Sequence, residues 1–197
     1  MPTRDPFRGF VAVPLPGDAA GALAEAARSF LGAPAAPPGD WRVTPADRIH
    51  LTLKFLGDTA AAAVPALADA LREAARAAGG PVRAVLEGWV LLPGPGDPRV
   101  LAAGVSDPAG TLPRMAALVE ARAEALGFPR EGRPFLAHAT VARRRGRPRR
   151  GVPPPESRKG AGPAGPILLD RLVLMESVLG PGGPAYAVVA ESPLVGI

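Results

Sequence analysis

The chain has 197 residues, of which 47% are hydrophobic and 21% are charged. This balance excludes a wholly disordered chain, because such chains have too few apolar residues to offset the entropy cost of ordering. The length fits one domain or two small lobes. The sequence contains no cysteine, which excludes a disulfide framework, a thiolate nucleophile and a cysteine zinc site. With no secretory signal and no 18-residue apolar run, we expect a cytoplasmic protein without a membrane span.

The net charge of +5 is concentrated in one segment. From Arg143 to Pro166 there are eight basic residues and one acidic residue. Proline and glycine are frequent there, so we predict a basic loop over residues 144–165. Two interpretations of this loop stay open: a solvated segment without a partner, or a contact with a polyanion, whose phosphates arginine would bind through its planar guanidinium.

Hydrophobic periodicity separates strands from helices along the chain. In chain order, strands are predicted at residues 9–13, 49–56, 82–92, 100–105, 135–142, 167–178 and 186–190. Segments rich in Ala, Leu, Glu and Arg, with apolar residues three and four apart, predict helices at residues 19–31, 65–78 and 112–126. Asp18 and Thr111 are suited to cap the first and third of these helices.

The order of the predicted elements repeats. A strand, a helix and a strand with a histidine occupy residues 11–50, and the same three elements recur in residues 101–138. This repeat predicts an α+β fold of two pseudo-symmetric lobes that face each other across a central cleft. A fold class alone does not specify a function.

Both histidines of the chain occur in the same four-residue frame, His50-Leu-Thr52-Leu and His138-Ala-Thr140-Val. Residues i and i+2 of a strand share a face, so the histidine and threonine of each frame point to the same side. If the two lobes are related by an approximate two-fold axis, the four polar side chains converge in the cleft.

Such a group of side chains suits phosphate chemistry. Two imidazoles can hold opposite protonation states near neutral pH and act as an acid and a base. Two hydroxyls can donate hydrogen bonds to the oxygens of a phosphate. The alternative, two incidental strand histidines, is disfavoured because every histidine in the chain uses the same frame. A zinc site would have too few ligands, so we expect neither a metal nor another cofactor.

The paired frames resemble those of the RNA 2′,3′-cyclic phosphodiesterases, also called 2′-5′ RNA ligases, of the two-histidine (2H) phosphoesterase superfamily. The similarity covers nearly the whole chain, including the segments 8–13, 49–58, 133–143 and 179–186. It implies a single two-lobed domain over residues 1–197, with antiparallel sheets flanking the cleft and helices on the outer faces. It also implies hydrolysis of a terminal ribose 2′,3′-cyclic phosphate to a 2′-phosphate without a metal, and the reverse 2′-5′ ligation of RNA.

The resemblance also implies roles for individual residues. His50 is expected to protonate the departing 3′ oxygen, and His138 to activate the attacking water. Thr52 and Thr140 are expected to hold the phosphate oxygens. Arg143 occupies the family's basic position after the second frame, where it can neutralise phosphate charge.

Strand alternation adds one candidate and raises one question. It places Lys54 on the face of His50, which makes Lys54 a second candidate for phosphate binding. It places Arg143 on the face opposite His138 unless the strand bends or ends. The two basic residues are therefore expected on different sides of their strands.

The sequence leaves the substrate partly open. Ala102 stands where the family commonly has a large aromatic residue, so base stacking would depend on three other aromatic residues, which can instead pack in the core: Trp41, Phe135 and Tyr186. We expect a monomer that acts on RNA ends carrying a cyclic phosphate. Two other functions stay open: a phosphodiesterase of the same fold acting on small cyclic nucleotides such as ADP-ribose cyclic phosphate, and a non-catalytic RNA-binding protein.

Overall fold

A computed structural model describes residues 2, 4–33, 40–94, 97–146, 162–180 and 183–196. The strands of this part of the chain are β1 (Phe7–Pro14), β2 (Trp41–Val43), β3 (His50–Thr59), β4 (Val82–Leu92), β5 (Val100–Ser106), β6 (His138–Arg144), β7 (Ala164–Leu169), β8 (Arg171–Gly180) and β9 (Gly183–Pro193). The helices are α1 (Gly17–Gly32), α2 (Val64–Ala78) and α3 (Thr111–Ala125). In the described residues, no helix is both long enough and apolar enough to span a membrane.

All three predicted helices are confirmed, and their boundaries follow local backbone chemistry. The chain leaves α2 at Gly79, whose φ of 73° is a left-handed conformation that glycine adopts readily. The predicted caps are wrong at both positions. Asp18 lies inside the first turn of α1. At α3 the side chain of Asp107 caps the helix, because its Oδ2 accepts a hydrogen bond from the backbone N–H of Leu112 at 2.6 Å.

The predicted strands are confirmed with three corrections. The strand expected over residues 135–142 is β6, which begins at His138 and ends at Arg144. The single strand expected over residues 167–178 is two strands, β7 and β8, separated at Asp170. The three-residue strand β2 was not expected, because such a short segment carries little periodicity. It pairs antiparallel with β6.

The strands form one antiparallel sheet in the order β7-β4-β5-β6-β3-β1-β8-β9, with β2 also beside β6. The order is symmetric about the junction of β6 and β3, so each lobe supplies four strands of the main path. At that junction, the two lobes pair through Leu51 and Ala139. The lobes are therefore two halves of a continuous sheet that meet at the two histidine-bearing strands.

The two faces of the sheet differ in their cover. Along β1, Val11 and Val13 belong to the main core, to which all three helices contribute, whereas Phe10 and Ala12 belong to a second, smaller cluster. Alternate residues of a strand point to opposite faces, so the helices cover one face. The other face, which bears Phe10 and Ala12, is named the cleft face below.

Candidate active site

The site is organised by the residue pair that joins the two halves of the sheet. Leu51 and Ala139 lie opposite each other on antiparallel strands, and both are fully buried on the helix side. Each is the residue between the histidine and the threonine of its frame. Because neighbouring residues of a strand alternate in direction, both histidines and both threonines point to the cleft face around this pair. The predicted convergence of the two frames thus follows from the register of β3 and β6.

Backbone hydrogen bonds fix the two imidazoles in the same way. Nδ1 of His50 lies 2.8 Å from the carbonyl oxygen of Arg48, and Nδ1 of His138 lies 2.8 Å from the carbonyl oxygen of Leu136. A carbonyl oxygen only accepts hydrogen bonds, so Nδ1 of each ring carries a hydrogen. Nε2 of each ring is therefore the nitrogen that can exchange a proton with a ligand.

His50 is packed against aromatic side chains. Its ring centroid lies 5.0 Å from that of Phe10 and 5.2 Å from that of Tyr186. Burial lowers the pKa of the His50 imidazole to about 4, and the hydrogen bond to the Arg48 carbonyl offsets only part of this effect. His50 is thus neutral near pH 7 in the free protein.

Two positive charges near His50 lower its pKa further. They are the guanidinium of Arg143 and the imidazole of His138 when it is protonated. Both residues come from β6, whereas His50 lies on β3. The register of Leu51 with Ala139 brings the two frames together at the junction, and there these charges act on His50.

The threonines occupy equivalent places in the two halves. Thr52 lies opposite Ala12 of β1, and Thr140 lies opposite Ala102 of β5. Both alanines are fully buried, and their small side chains add little bulk beside the threonines. Within the described residues, neither threonine hydroxyl has a hydrogen-bond partner, so both are available to a ligand on the cleft face.

A β-bulge determines the face of β6 on which Arg143 lies. In the pairing of β5 with β6, Val141 is an extra residue between the partners of two consecutive β5 residues. Val141 and Ala142 are consequently both buried, and the following Arg143 is exposed. The expectation that Arg143 lies on the face opposite His138 is wrong, because the bulge shifts the alternation by one residue.

The same irregularity in β3 removes Lys54 from the site. Leu53 is the extra residue there, and Leu53 and Lys54 are both buried. Nζ of Lys54 donates to Oε1 of Glu120 at 2.9 Å and to the carbonyl oxygen of Pro129 at 2.5 Å. The expectation that Lys54 shares the face of His50 and binds phosphate is therefore corrected: its charge is used in an ion pair with α3.

The aromatic candidates divide between the core and the cleft. Trp41 and Phe135 pack against the main core, whereas Tyr186 belongs to the cluster on the cleft face. Phe55 is an aromatic residue of the cleft face that the sequence pattern does not single out. It follows the bulge in β3 and is 59% exposed, with its ring centroid 6.2 Å from that of Phe10. Simple alternation places Phe55 in the core, and only the bulge turns it outward.

The basic segment is only partly described. Arg144 forms an ion pair with Asp97, and Nη1 of Arg145 lies 4.0 Å from a carboxylate oxygen of Asp40. Arg143 has no carboxylate partner among the described residues. The greater part of the predicted loop lies outside those residues, including Arg147, Arg149, Arg150, Arg158 and Lys159.

Comparisons with known proteins agree with this geometry. Residues 13–102 match the family model described as LigT-like phosphoesterase. A Thermus thermophilus protein named RNA 2′,3′-cyclic phosphodiesterase is 34% identical to the chain over 96% of the chain and 91% of its own length. An Archaeoglobus fulgidus protein of the same name is 32% identical over 71% of the chain and 76% of its own length.

Solved structures share the fold. A crystal structure of a protein from Thermus thermophilus superposes with a TM-score of 0.75 at 32% identity, covering 96% of this chain and 98% of that one. The Escherichia coli LigT structure complexed with 3′-AMP gives a TM-score of 0.73 at 24% identity, with the same coverage. At that identity, the second similarity shows the fold alone.

Proposed function

The chain belongs to the LigT-like phosphoesterase family, and from this premise we propose that it hydrolyses the terminal 2′,3′-cyclic phosphate of RNA to a 2′-phosphate. One observation carries the proposal: the register of β3 and β6 brings both histidine–threonine frames to one face, around the Leu51–Ala139 pair. The relatives' shared name, RNA 2′,3′-cyclic phosphodiesterase, supports the substrate.

The substrate phosphate is placed between the two frames. The hydroxyls of Thr52 and Thr140 donate hydrogen bonds to its non-bridging oxygens, since neither hydroxyl has a partner within the described residues. Arg143 supplies a guanidinium that neutralises charge on the phosphate and on the transition state. The lowering of the His50 pKa by the charge of Arg143 supports this role.

The imidazoles carry the protons. His138 accepts a proton at Nε2 from a water molecule as the water oxygen forms a bond to phosphorus. The bond from phosphorus to the 3′ oxygen breaks, and Nε2 of His50 gives that oxygen its proton. The products are a 2′-phosphate and a free 3′-hydroxyl, and the proton balance of the two histidines is restored through solvent. A 5′-hydroxyl in place of water would form a 2′-5′ bond.

This assignment requires His50 to gain a proton in the complex. The ring is neutral near pH 7 in the free protein because burial lowers its pKa to about 4. A phosphate anion beside the ring raises that pKa, since a negative charge favours the imidazolium form. The active complex thus contains one imidazolium and one neutral imidazole, whichever ring held the proton before binding.

The direct test uses a short RNA that ends in a 2′,3′-cyclic phosphate, incubated with the protein in EDTA. We expect conversion to the 2′-phosphate, identified by a mass gain of one water and by co-elution with a synthetic 2′-phosphate standard rather than with its 3′-phosphate isomer. A second arm adds an RNA with a 5′-hydroxyl to detect 2′-5′ ligation, and a third uses ADP-ribose cyclic phosphate. The His50→Ala, His138→Ala double variant, purified in the same way, controls for contaminating nuclease. Absence of hydrolysis with the RNA substrate, with or without divalent ions, would contradict the proposal.

A further inference from the structure

Two arginines lie side by side on the cleft face next to the site. Arg42 of β2 is directly opposite Arg143 of β6 in the antiparallel register. Cross-strand partners share a face, with Cβ atoms about 5 Å apart. Trp41 and Val43, which flank Arg42, pack against the main core on the other side. Arg42 therefore points to the cleft face together with Arg143.

In the part of the chain that the structure describes, no carboxylate neutralises this arginine pair. Like charges directly opposite each other in a sheet are destabilising. The next arginines along β6 and beyond it, Arg144 and Arg145, have Asp97 and Asp40 as acidic neighbours. Among the residues that the structure describes, neither Arg42 nor Arg143 has such a neighbour. The two guanidinium charges therefore lie on one face without a described acidic neighbour.

Arg42 lies against the hairpin of β8 and β9. A Cβ atom at Gly183, whose φ is 93°, would lie 3.0 Å from Nη1 of Arg42. The guanidinium thus rests directly on the glycine backbone. The adjacent Pro184 accepts a hydrogen bond from Nη1 of Arg48 at 3.0 Å through its carbonyl oxygen. Arg42 is held between β6 and this hairpin, whereas Arg143 acts on His50.

We propose that Arg42 binds the phosphodiester immediately upstream of the reacting phosphate, so that the site prefers RNA ends of two or more nucleotides over a mononucleotide. The inference rests on the proposed function and specifies its substrate class. A terminal nucleotide held at the histidines has its next phosphate one nucleotide away. Arg143 serves the reacting phosphate, and the planar guanidinium of Arg42 is suited to the neighbouring one.

The test compares two substrates that share a terminus: adenosine 2′,3′-cyclic phosphate and the dinucleotide ApA ending in a 2′,3′-cyclic phosphate. The measured quantity is the ratio of kcat/KM for the dinucleotide to that for the mononucleotide. Arg42→Gln should lower this ratio about tenfold, chiefly through KM. Arg42→Lys should lower it less, because it keeps the charge and loses the guanidinium fork. Arg28→Gln, at an exposed arginine of α1 that pairs with Glu25, is the matched control and should leave the ratio unchanged.

Either of two outcomes would overturn the inference. The wild-type protein could show no preference for the dinucleotide, or Arg42→Gln could affect both substrates equally and leave the ratio unchanged. If the wild-type protein hydrolyses neither substrate, the proposed function fails, and binding decides the role of Arg42. The probe is then a fluorescent dinucleotide with a 3′-phosphate, followed by anisotropy over a range of salt concentrations. Arg42→Gln should reduce the slope of log K against log salt by about 0.7, and an unchanged slope would overturn the inference.

Discussion

β3 and β6 pass through the same series of positions: a histidine, a buried residue, a threonine, an extra bulged residue, a buried residue and a side chain on the cleft face. Their inner partners match as well. The pairing of Ala12 with Thr52 has its counterpart in the pairing of Ala102 with Thr140. The two halves thus share one backbone arrangement, including the bulge that interrupts each strand.

The halves differ in the residues that the bulges redirect. In β3 the bulge buries Lys54 and exposes Phe55, whereas in β6 it buries Ala142 and exposes Arg143. The strands are antiparallel, so Phe55 and Arg143 extend in opposite directions from the Leu51–Ala139 pair. A fully symmetric cleft would bind a phosphodiester in two equivalent orientations. In the proposed function, one aromatic end and one cationic end would favour a single orientation, which would give the two histidines different roles.

The largest expected effect concerns the histidines, one of which lies in each half. His50→Ala and His138→Ala should each lower kcat on an RNA 2′,3′-cyclic phosphate by about 10²–10⁴, the usual contribution of a general acid or base. The double variant should be little worse than either single variant, because the two groups act as a unit. Circular dichroism controls for folding. A loss below about tenfold for either histidine would remove it from the proton-transfer pair.

The next test separates the roles of the two histidines with a leaving group that needs no proton. On methyl p-nitrophenyl phosphate, kcat of His50→Ala should be less than about tenfold below that of the wild-type protein, since p-nitrophenolate leaves unprotonated. The kcat of His138→Ala should stay at least about 10²-fold below that of the wild-type protein, because the water still needs a base. The reverse pattern would exchange the two roles and reverse the inferred orientation of the substrate.

The burial of His50 should appear as a pH dependence of stability. Its pKa is about 4 in the folded chain and 6.5 as the reference value. Above pH 6.5 the ring is neutral in both states. As the pH falls from 6.5 to 4, the unfolded chain binds a proton that the folded chain does not, so stability decreases by up to about 3 kcal/mol.

Urea denaturation of the wild-type protein and His50→Gln at pH 7 and pH 4.5 measures this contribution. Carboxylates titrate in the same range, so the informative quantity is the difference between the two proteins. The wild-type protein should lose about 2 kcal/mol more than the variant on acidification. An equal loss in both would show that the ring is as well solvated in the folded chain as in the unfolded one.

Substitution of Arg143 should affect catalysis, whereas substitution of Lys54 should affect stability. Arg143→Gln should lower kcat/KM about 30-fold with little change in stability, since in the proposed function its guanidinium neutralises charge on the reacting phosphate. Lys54→Met should lower the free energy of unfolding by about 2 kcal/mol, because it leaves Glu120 without its partner, and should change kcat less than about threefold. A large loss of kcat in folded Lys54→Met would return Lys54 to the phosphate site.

The sequence predicts the elements and the frames well because both depend on short-range periodicity. The three helices and the convergence of the histidine frames follow from spacings of three, four and two residues. The sides taken by Lys54, Phe55 and Arg143 do not follow, because a bulge is defined by the register of two strands. The role of Asp107 as a cap and the approach of Arg42 to Gly183 are also tertiary facts, set by parts of the chain that meet only on folding.

The smallest expected effect comes from substitution of the two threonines, and it measures how evenly the two halves hold the phosphate. Thr52→Val and Thr140→Val keep the branched shape that suits a strand and remove one hydroxyl each. Each should lower kcat/KM about tenfold, as expected for the loss of one hydrogen bond to a charged oxygen. Thr52→Ser and Thr140→Ser retain the hydroxyl and serve as matched controls. Equal losses would mean that the phosphate lies midway between the frames. An unequal pair would place it nearer one histidine, and no loss in either would show that the hydroxyls do not hold it.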